Sequence, residues 1–271
     1  IGLLELGTDS FALSGITSIV IPIGVTRIPS SCFAYCYMKS ITFHENLLSI
    51  DSAAFKKNEF VSIHIPSSVQ TIGSGAFTVS PFLTAITVDS NNQYFKQIDN
   101  VLFTKNGSIL IQYPALKPNT TFIVPDTVES ISGLAFYQTK ELKHVECPSS
   151  LRIISTSAFE YSSIQTISLK EGLLQILDSA FHNSALTSIL IPSTVQLIGS
   201  LCFYQCDSLA SIDVEPANQF YISVDHVLYN KNESILITFP PSKNVVNYSV
   251  QSSVTEILSY AVSYSKYLKN V

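Results

Sequence analysis

Apolar positions recur along this chain on a short period. Phe11, Phe33, Phe55 and Phe77 stand 22 residues apart; after a step of 59 come Phe136, Phe159, Phe181 and Phe203, spaced 23, 22 and 22, and a second step of 59 leads to Val262. Five residues before each of these positions lies an Ile or Leu: Leu6, Ile28, Ile50, Ile72, Ile131, Ile154, Ile176, Ile198 and Ile257. The residue just before each Phe is small, as in Ser10, Cys32, Ala54, Ala76, Ala135, Ala158, Ala180 and Cys202. Between these positions runs a Leu-x-x-Ile-x-Ile-Pro phrase, clearest in FVSIHIP from Phe60 and LTSILIP from Leu186. The alternation predicts a short strand with one buried face. Pro66 and Pro192 end it, because proline has no N–H to give a ladder. The Ile and Phe that follow then cover the strand from behind. No unit this short buries both of its sides, so neighbouring units must stack into a continuous core. The expectation is a single solenoid over residues 1–271, mainly β, with one parallel concave sheet and an irregular or short-helical convex side.

The two 59-residue steps define long units at 78–136 and 204–262, and they repeat each other 126 positions apart. Val101-Leu102-Phe103 matches Val227-Leu228-Tyr229, and Ser108-Ile109-Leu110-Ile111 matches Ser234-Ile235-Leu236-Ile237. In the first copy the two apolar runs flank Asn106-Gly107, a strong hairpin signal; the second has Asn232-Glu233 there. Two β-hairpin insertions are therefore expected, each projecting from the solenoid or widening its sheet. The repeated phrase resembles the BspA-like class of leucine-rich repeats, whose consensus is close to it over nearly the whole chain. That family commonly carries Asp-Gly-Val-Leu-Tyr ahead of the hairpin, where this chain has Asp99-Asn100 and Asp225-His226. Asn and His tolerate positive φ, so the turn is expected to survive. The resemblance implies a leucine-rich-repeat solenoid on the surface of a host-associated bacterium or protist parasite, engaged in adhesion or host-protein binding. A solenoid fold does not by itself fix a function.

Composition narrows the choice. Only 13% of residues are charged and the net charge is -5, so there is no basic footprint for nucleic acid or an anionic membrane. No stretch has the roughly 18 to 20 consecutive apolar residues that span a bilayer, so membrane insertion is not expected. The start, IGLLELGTDSF, does not read as a signal peptide. The chain begins and ends inside repeats, as a piece of a longer protein would, and core exposed at such ends predicts self-association there. Five cysteines, an odd number, argue against a disulfide framework. Cys32, Cys36, Cys202 and Cys206 fall in the small slots before Phe and three residues after it, and Cys147 in an inward strand slot; they read as small buried hydrophobes rather than metal ligands. His44, His64, His144, His182 and His226 lack ligand spacing, and there is no GxSxG elbow, P-loop or GxGxxG. Glu146 and Asp213 are too far apart in the repeat to work as paired carboxylates. No catalytic, cofactor-binding or metal residue is assigned.

The x positions of the strand phrase should point outward. They nominate Lys39, Thr42, His64, Thr87, Lys143, His144, Glu146, Thr166, Leu190 and Asp213 for partner binding, with a dense charged patch at Lys143, His144 and Glu146. Strands about 4.8 Å apart would spread them over roughly 40 to 50 Å. Thr is also simply a good exposed strand residue. Asn106, Asn119, Asn232 and Asn247 head Asn-x-Ser/Thr sequons and would be N-glycosylation acceptors in a eukaryotic secretory pathway, although polar turns account for them equally well. The expected function is a non-enzymatic cell-surface or secreted adhesion module that binds a host or matrix protein through the concave sheet. The alternative is a protein-interaction scaffold with no adhesive role.

Overall fold

A computed structural model describes residues 2–271. It divides into two compact units, one built from residues up to Pro118 together with Ile131–Glu141, the other from Asn119–Ser130 and Leu142–Val271. Both are β-solenoids, and the described residues contain no helix.

The Ile-x-Ile phrase forms the predicted strands. In Ser62–Ile65, Ile63 and Ile65 are buried while Ser62 and His64 face out. This strand pairs in parallel with Ala85–Val88, with His64 opposite Thr87. In the second unit Thr121–Ile123, His144–Glu146 and Thr166–Ser168 form a parallel ladder, and Ser188–Ile191 pairs likewise with Ser211–Val214. A second parallel ladder accompanies the first. It runs through the Ile five residues before each Phe: Arg27–Ile28, Ser49–Ile50 and Thr71–Ile72 in one unit, Ile153–Ile154, Gln175–Ile176 and Leu197–Ile198 in the other.

The arm between those ladders carries the Phe column. Phe11, Phe33, Phe55 and Phe77 stack with centroids 5.1, 5.5 and 5.9 Å apart. Phe159, Phe181 and Phe203 do so at 5.3 and 5.8 Å. Removing such a ring from water contributes about 2 to 3 kcal/mol. Of the irregular or short-helical side that was expected, the described residues show the non-helical form, a run of turns repeated from coil to coil. The residues two before and two after Phe33, Ser31 and Tyr35, lie at φ 52° and 61°, and the same pair recurs at Ala53 and Lys57 and at Ser179 and Asn183. This alternation points every second N–H along the stack. Ser31, Phe33 and Tyr35 donate to the Ser52, Ala54 and Lys56 carbonyls of the next coil at 3.2, 2.8 and 2.7 Å, whereas Cys32 and Ala34 donate three residues back within their own turn. Left-handed backbone costs an L-residue about 1 to 2 kcal/mol, which these inter-coil bonds offset.

Each 59-residue step contains two coils. Tyr113 N–H donates to Ala135 O at 2.8 Å and Phe239 N–H to Ala261 O at 2.7 Å, the same bond that Phe33 makes to Ala54. Tyr113 and Phe239 are thus members of the Phe column, and each step divides into 36 and 23 residues. Their coils are shortened on the arm. Leu110 and Leu236 hold the ladder position of Ile28, accepting from Ser132 and Leu258, yet the ring follows three residues later rather than five. The hairpins widen the sheet. Phe95–Ile98, Val101–Thr104 and Ile109–Gln112 are antiparallel, as are Tyr221–Val224, Val227–Asn230 and Ile235–Thr238, and Ile235–Thr238 then pairs in parallel with Glu256–Ile257. Both turn residues have positive φ: Asp99 at 49° with Asn100 at 63°, and Asp225 at 49° with His226 at 62°. The expected tolerance of Asn and His holds.

Candidate functional site

The outward side chains of the Ile-x-Ile ladder in the second unit form the best-defined candidate surface. Its register places Thr121, His144 and Thr166 in one row, and Ile123, Glu146 and Ser168 in the next. His144 Nδ1 lies 2.8 Å from Thr166 Oγ1, so two nominated residues brace each other across strands. Glu146 Oε1 meets Lys170 Nζ at 3.4 Å, with both side chains about half exposed. Beside that pair is a shallow hollow of about 240 Å³, lined by Ile123, Val124, Asp126, Glu146, Cys147 and Lys170 among others. Ile123 is 67% exposed and Leu190 50%, so two large apolar groups stand in water on a face that is otherwise hydroxyls and charges. Leu190 pairs in register with Asp213, whose Oδ1 is 2.8 Å from Nδ1 of His226 in the hairpin turn.

Lys170 and His226 were not nominated from sequence. The signal for Lys170 was present: it takes the slot that Pro66 and Pro192 fill elsewhere, so its strand ends on a long cation instead of a proline. His226 was read for its backbone and for its lack of ligand spacing; the register that brings it to Asp213 is set by the Ile212 N–H bond to His226 O at 3.1 Å.

In the first unit, His64 Nδ1 and Thr87 Oγ1 are 3.0 Å apart. Lys39 N–H donates to Thr17 O, and Thr42 bridges Val20. Lys39 and Thr42 are exposed. Of the sequon asparagines, Asn106 and Asn232 sit exposed in hairpin turns, where their Oδ1 atoms accept from the Ser108 and Ser234 hydroxyls at 3.0 and 2.8 Å. Asn247 is exposed and accepts from Asn270 Nδ2; Asn119 is half-buried.

The five thiols are free and buried. Cys36 and Cys206 donate to Phe11 O and Phe181 O at 3.0 and 2.9 Å, as small members of the slot that Asn58 occupies between Phe33 O and Phe55 O. Burial pushes the Cys147 thiol up to about 12, with a further push from Glu146, and the Cys206 thiol up to about 11. Both shifts disfavour the thiolate, the form in which cysteine acts as a nucleophile. Among the described residues, no group of three or more His, Cys, Asp and Glu could hold a metal ion, and no helix is long and apolar enough to cross a membrane.

The family model for the BspA type leucine rich repeat region matches residues 4–117 and 112–234, in six copies. Among solved structures, the pneumococcal vaccine antigen PcpA superposes with a TM-score of 0.78 at 22% identity, over 97% of this chain and 70% of that one. A leucine rich cell surface protein from Faecalibacterium prausnitzii is 30% identical, with a TM-score of 0.63 over 74% of this chain and 60% of its own. A leucine-rich repeat protein from Bacteroides ovatus gives 0.59 at 22% identity, over 99% of this chain and 64% of its own. No curated protein matches significantly. With the family model covering most of its length, the chain belongs to the BspA-type leucine-rich repeat family.

Proposed function

We propose that this chain is a non-enzymatic recognition module, presented on a cell surface or outside the cell, which holds a host or matrix protein against the outward face of its Ile-x-Ile ladder. The observation that carries the reading is the juxtaposition of exposed Ile123 with the Glu146–Lys170 pair around a shallow hollow, with a second exposed apolar group, Leu190, further along the same face beside Asp213. An apolar group with a charged rim is the composition of a protein-binding hot spot, and extended ladder faces are the surfaces solenoids use to hold partners. The descriptions of the relatives, a cell surface protein and a vaccine antigen, support the proposed location.

The test is a panel of immobilised matrix proteins and host surface glycoproteins, probed with the chain and with Ile123→Asp and Lys170→Glu variants of unchanged circular dichroism. Saturable binding that falls at least tenfold in either variant is expected. Silence across the panel, or binding indifferent to both substitutions, would refute the proposal. Binding confined to soluble partners would favour an interaction scaffold with no adhesive role.

A further inference from the structure

A second feature of the second unit lies away from the ladder face. Between the coil of Phe203 and the coil of Ala261 is a cavity of about 540 Å³, whose wall includes Ile198, Leu201, Ile237, Phe239, Leu258 and Tyr260. It sits where the Phe239 coil is shortened. With two residues missing from that arm, the flanking coils meet directly at the edge: Gln205 Nε2 donates to Tyr264 Oη at 3.0 Å, and the Tyr204 and Tyr264 hydroxyls are 3.3 Å apart, across 59 and 60 residues of chain.

The first unit has the same shortened coil around Tyr113 and fills it with side chains. Gln112 is buried, donating from Nε2 to Tyr113 O and Ala135 O at 3.2 and 3.3 Å. Tyr113 stacks on Phe136 at 5.1 Å. Leu134 Cδ1 reaches over Gly75, 2.8 Å from where a Cβ would stand. At the matching positions 126 residues on, the second unit has Thr238 for Gln112, Phe239 for Tyr113, Val262 for Phe136 and Ser263 for Tyr137. Each of these replacements removes bulk or a polar group from the interior. The replacements at the mouth go the other way: Leu201 for Gly75, Tyr204 for Thr78, Tyr260 for Leu134 and Tyr264 for Gln138. One copy has an emptied floor and an aromatic collar on the backbone that the other copy packs solid.

We propose that this cavity is a binding site for a neutral, ring-bearing apolar small molecule. Its volume lies within the range of roughly 300 to 1,000 Å³ typical of small-molecule sites. None of its lining residues is charged, so an ionised ligand would be desolvated without compensation. Tyr260 is exposed and lies tilted against Tyr204 with ring centroids 4.9 Å apart, which gives the mouth an aromatic wall, and stacked or edge-on ring pairs add to simple burial. The hydroxyls and Gln205 at the mouth suit one hydroxyl or carbonyl on an otherwise apolar ligand.

The experiment is a fluorescence titration of the chain with neutral N-phenyl-1-naphthylamine, and in parallel with anionic 8-anilino-1-naphthalenesulfonate. One saturable site for the neutral probe is expected, with the anion at least tenfold weaker. The T238Q/F239Y variant restores two of the first unit's filling side chains to the cavity wall and should weaken binding at least tenfold; Ile237→Phe, which fills the cavity from another wall, should do the same. Absence of saturable binding by the unaltered chain overturns the proposal, as does tight binding retained in both variants once their circular dichroism matches. Equal affinity for the two probes would overturn the assignment to neutral ligands.

Discussion

Around Tyr113 and around Phe239 the chain makes the same shortened coil, and much of what holds the two coils is identical. Asn92 and Asn218 are fully buried. Asn92 donates from Nδ2 to Pro66 O and Val69 O at 2.8 and 2.9 Å and accepts from Tyr94 and Phe95 N–H at 2.8 and 2.7 Å. Asn218 repeats this with Pro192, Val195, Phe220 and Tyr221. Lys117 and Lys243, both buried, pair with the hairpin-turn carboxylates of Asp99 and Asp225 at 2.8 and 3.0 Å. What differs is the filling. The comparison teaches that the frame of the insert is carried by one asparagine, one lysine and one turn aspartate, while its interior packing is free to vary.

The largest expected effect tests the shared frame. Asn92→Ala and Asn218→Ala each remove the side-chain partner of four backbone groups; Pro66 O and Pro192 O keep the Val69 and Val195 N–H, which leaves three to lose their side-chain bond, at about 1 to 3 kcal/mol for each that is buried and left unsatisfied. Each variant should lose about 3 to 4 kcal/mol in urea denaturation, and by similar amounts; a loss under 1 kcal/mol in either copy would break the shared-frame account. Next come Asp99→Asn and Asp225→Asn, which take the carboxylate from a buried ammonium. A loss of about 2 kcal/mol is expected in each, since breaking a well-buried pair costs about 3 to 5 kcal/mol and these carboxylates are half exposed. Equal stability of D225N and the unaltered chain would show that the repeated ion pair does not hold the turn.

Exchanging the fillings should then separate the copies. Q112T/Y113F opens space in the first unit and should cost about 2 kcal/mol in the same denaturation assay, in line with large-to-small core changes. T238Q/F239Y should be neutral or stabilising by up to about 1 kcal/mol, because it closes a void. The smallest effect sits in the hairpin turn. Gly107, at φ 80°, is matched by Glu233 at φ 57°, so Gly107→Ala should lower stability and Glu233→Gly raise it, each by about 0.5 to 1 kcal/mol. Thermal melts that moved the same way in both variants would contradict the strain assignment.

Parts of this architecture were legible in sequence for plain reasons. Phe spacing, the Ile-x-Ile alternation and the runs around Asn106-Gly107 are contrasts between apolar and polar side chains, and burial acts on those directly. The positive φ of Asn100 and His226 followed from residue type. The arm was not legible, because Ser31, Tyr35, Ala53 and Lys57 carry no glycine-like signature; their backbone is set by bonds to the next coil. Tyr113 and Phe239 escaped as column members because they follow their ladder residue by three positions rather than five. Asn92, Asn218, Lys117 and Lys243 were missed although their recurrence at 126 residues was there to be read. On the ladder, His144, Glu146, Thr166, Leu190 and Asp213 were assigned to outward strand positions by alternation alone. Lys170 required noticing a missing proline, and the Asp213–His226 contact required the register.

The account of function turns on which face meets the partner. Once a partner has been found on the panel, surface plasmon resonance should compare the double charge reversal E146K/K170E with K56E/K57E, which alters the Phe-column arm instead. At least a tenfold loss of affinity is expected for the ladder-face variant, with the arm variant within about twofold of the unaltered chain. Full affinity in E146K/K170E together with loss in K56E/K57E would contradict it.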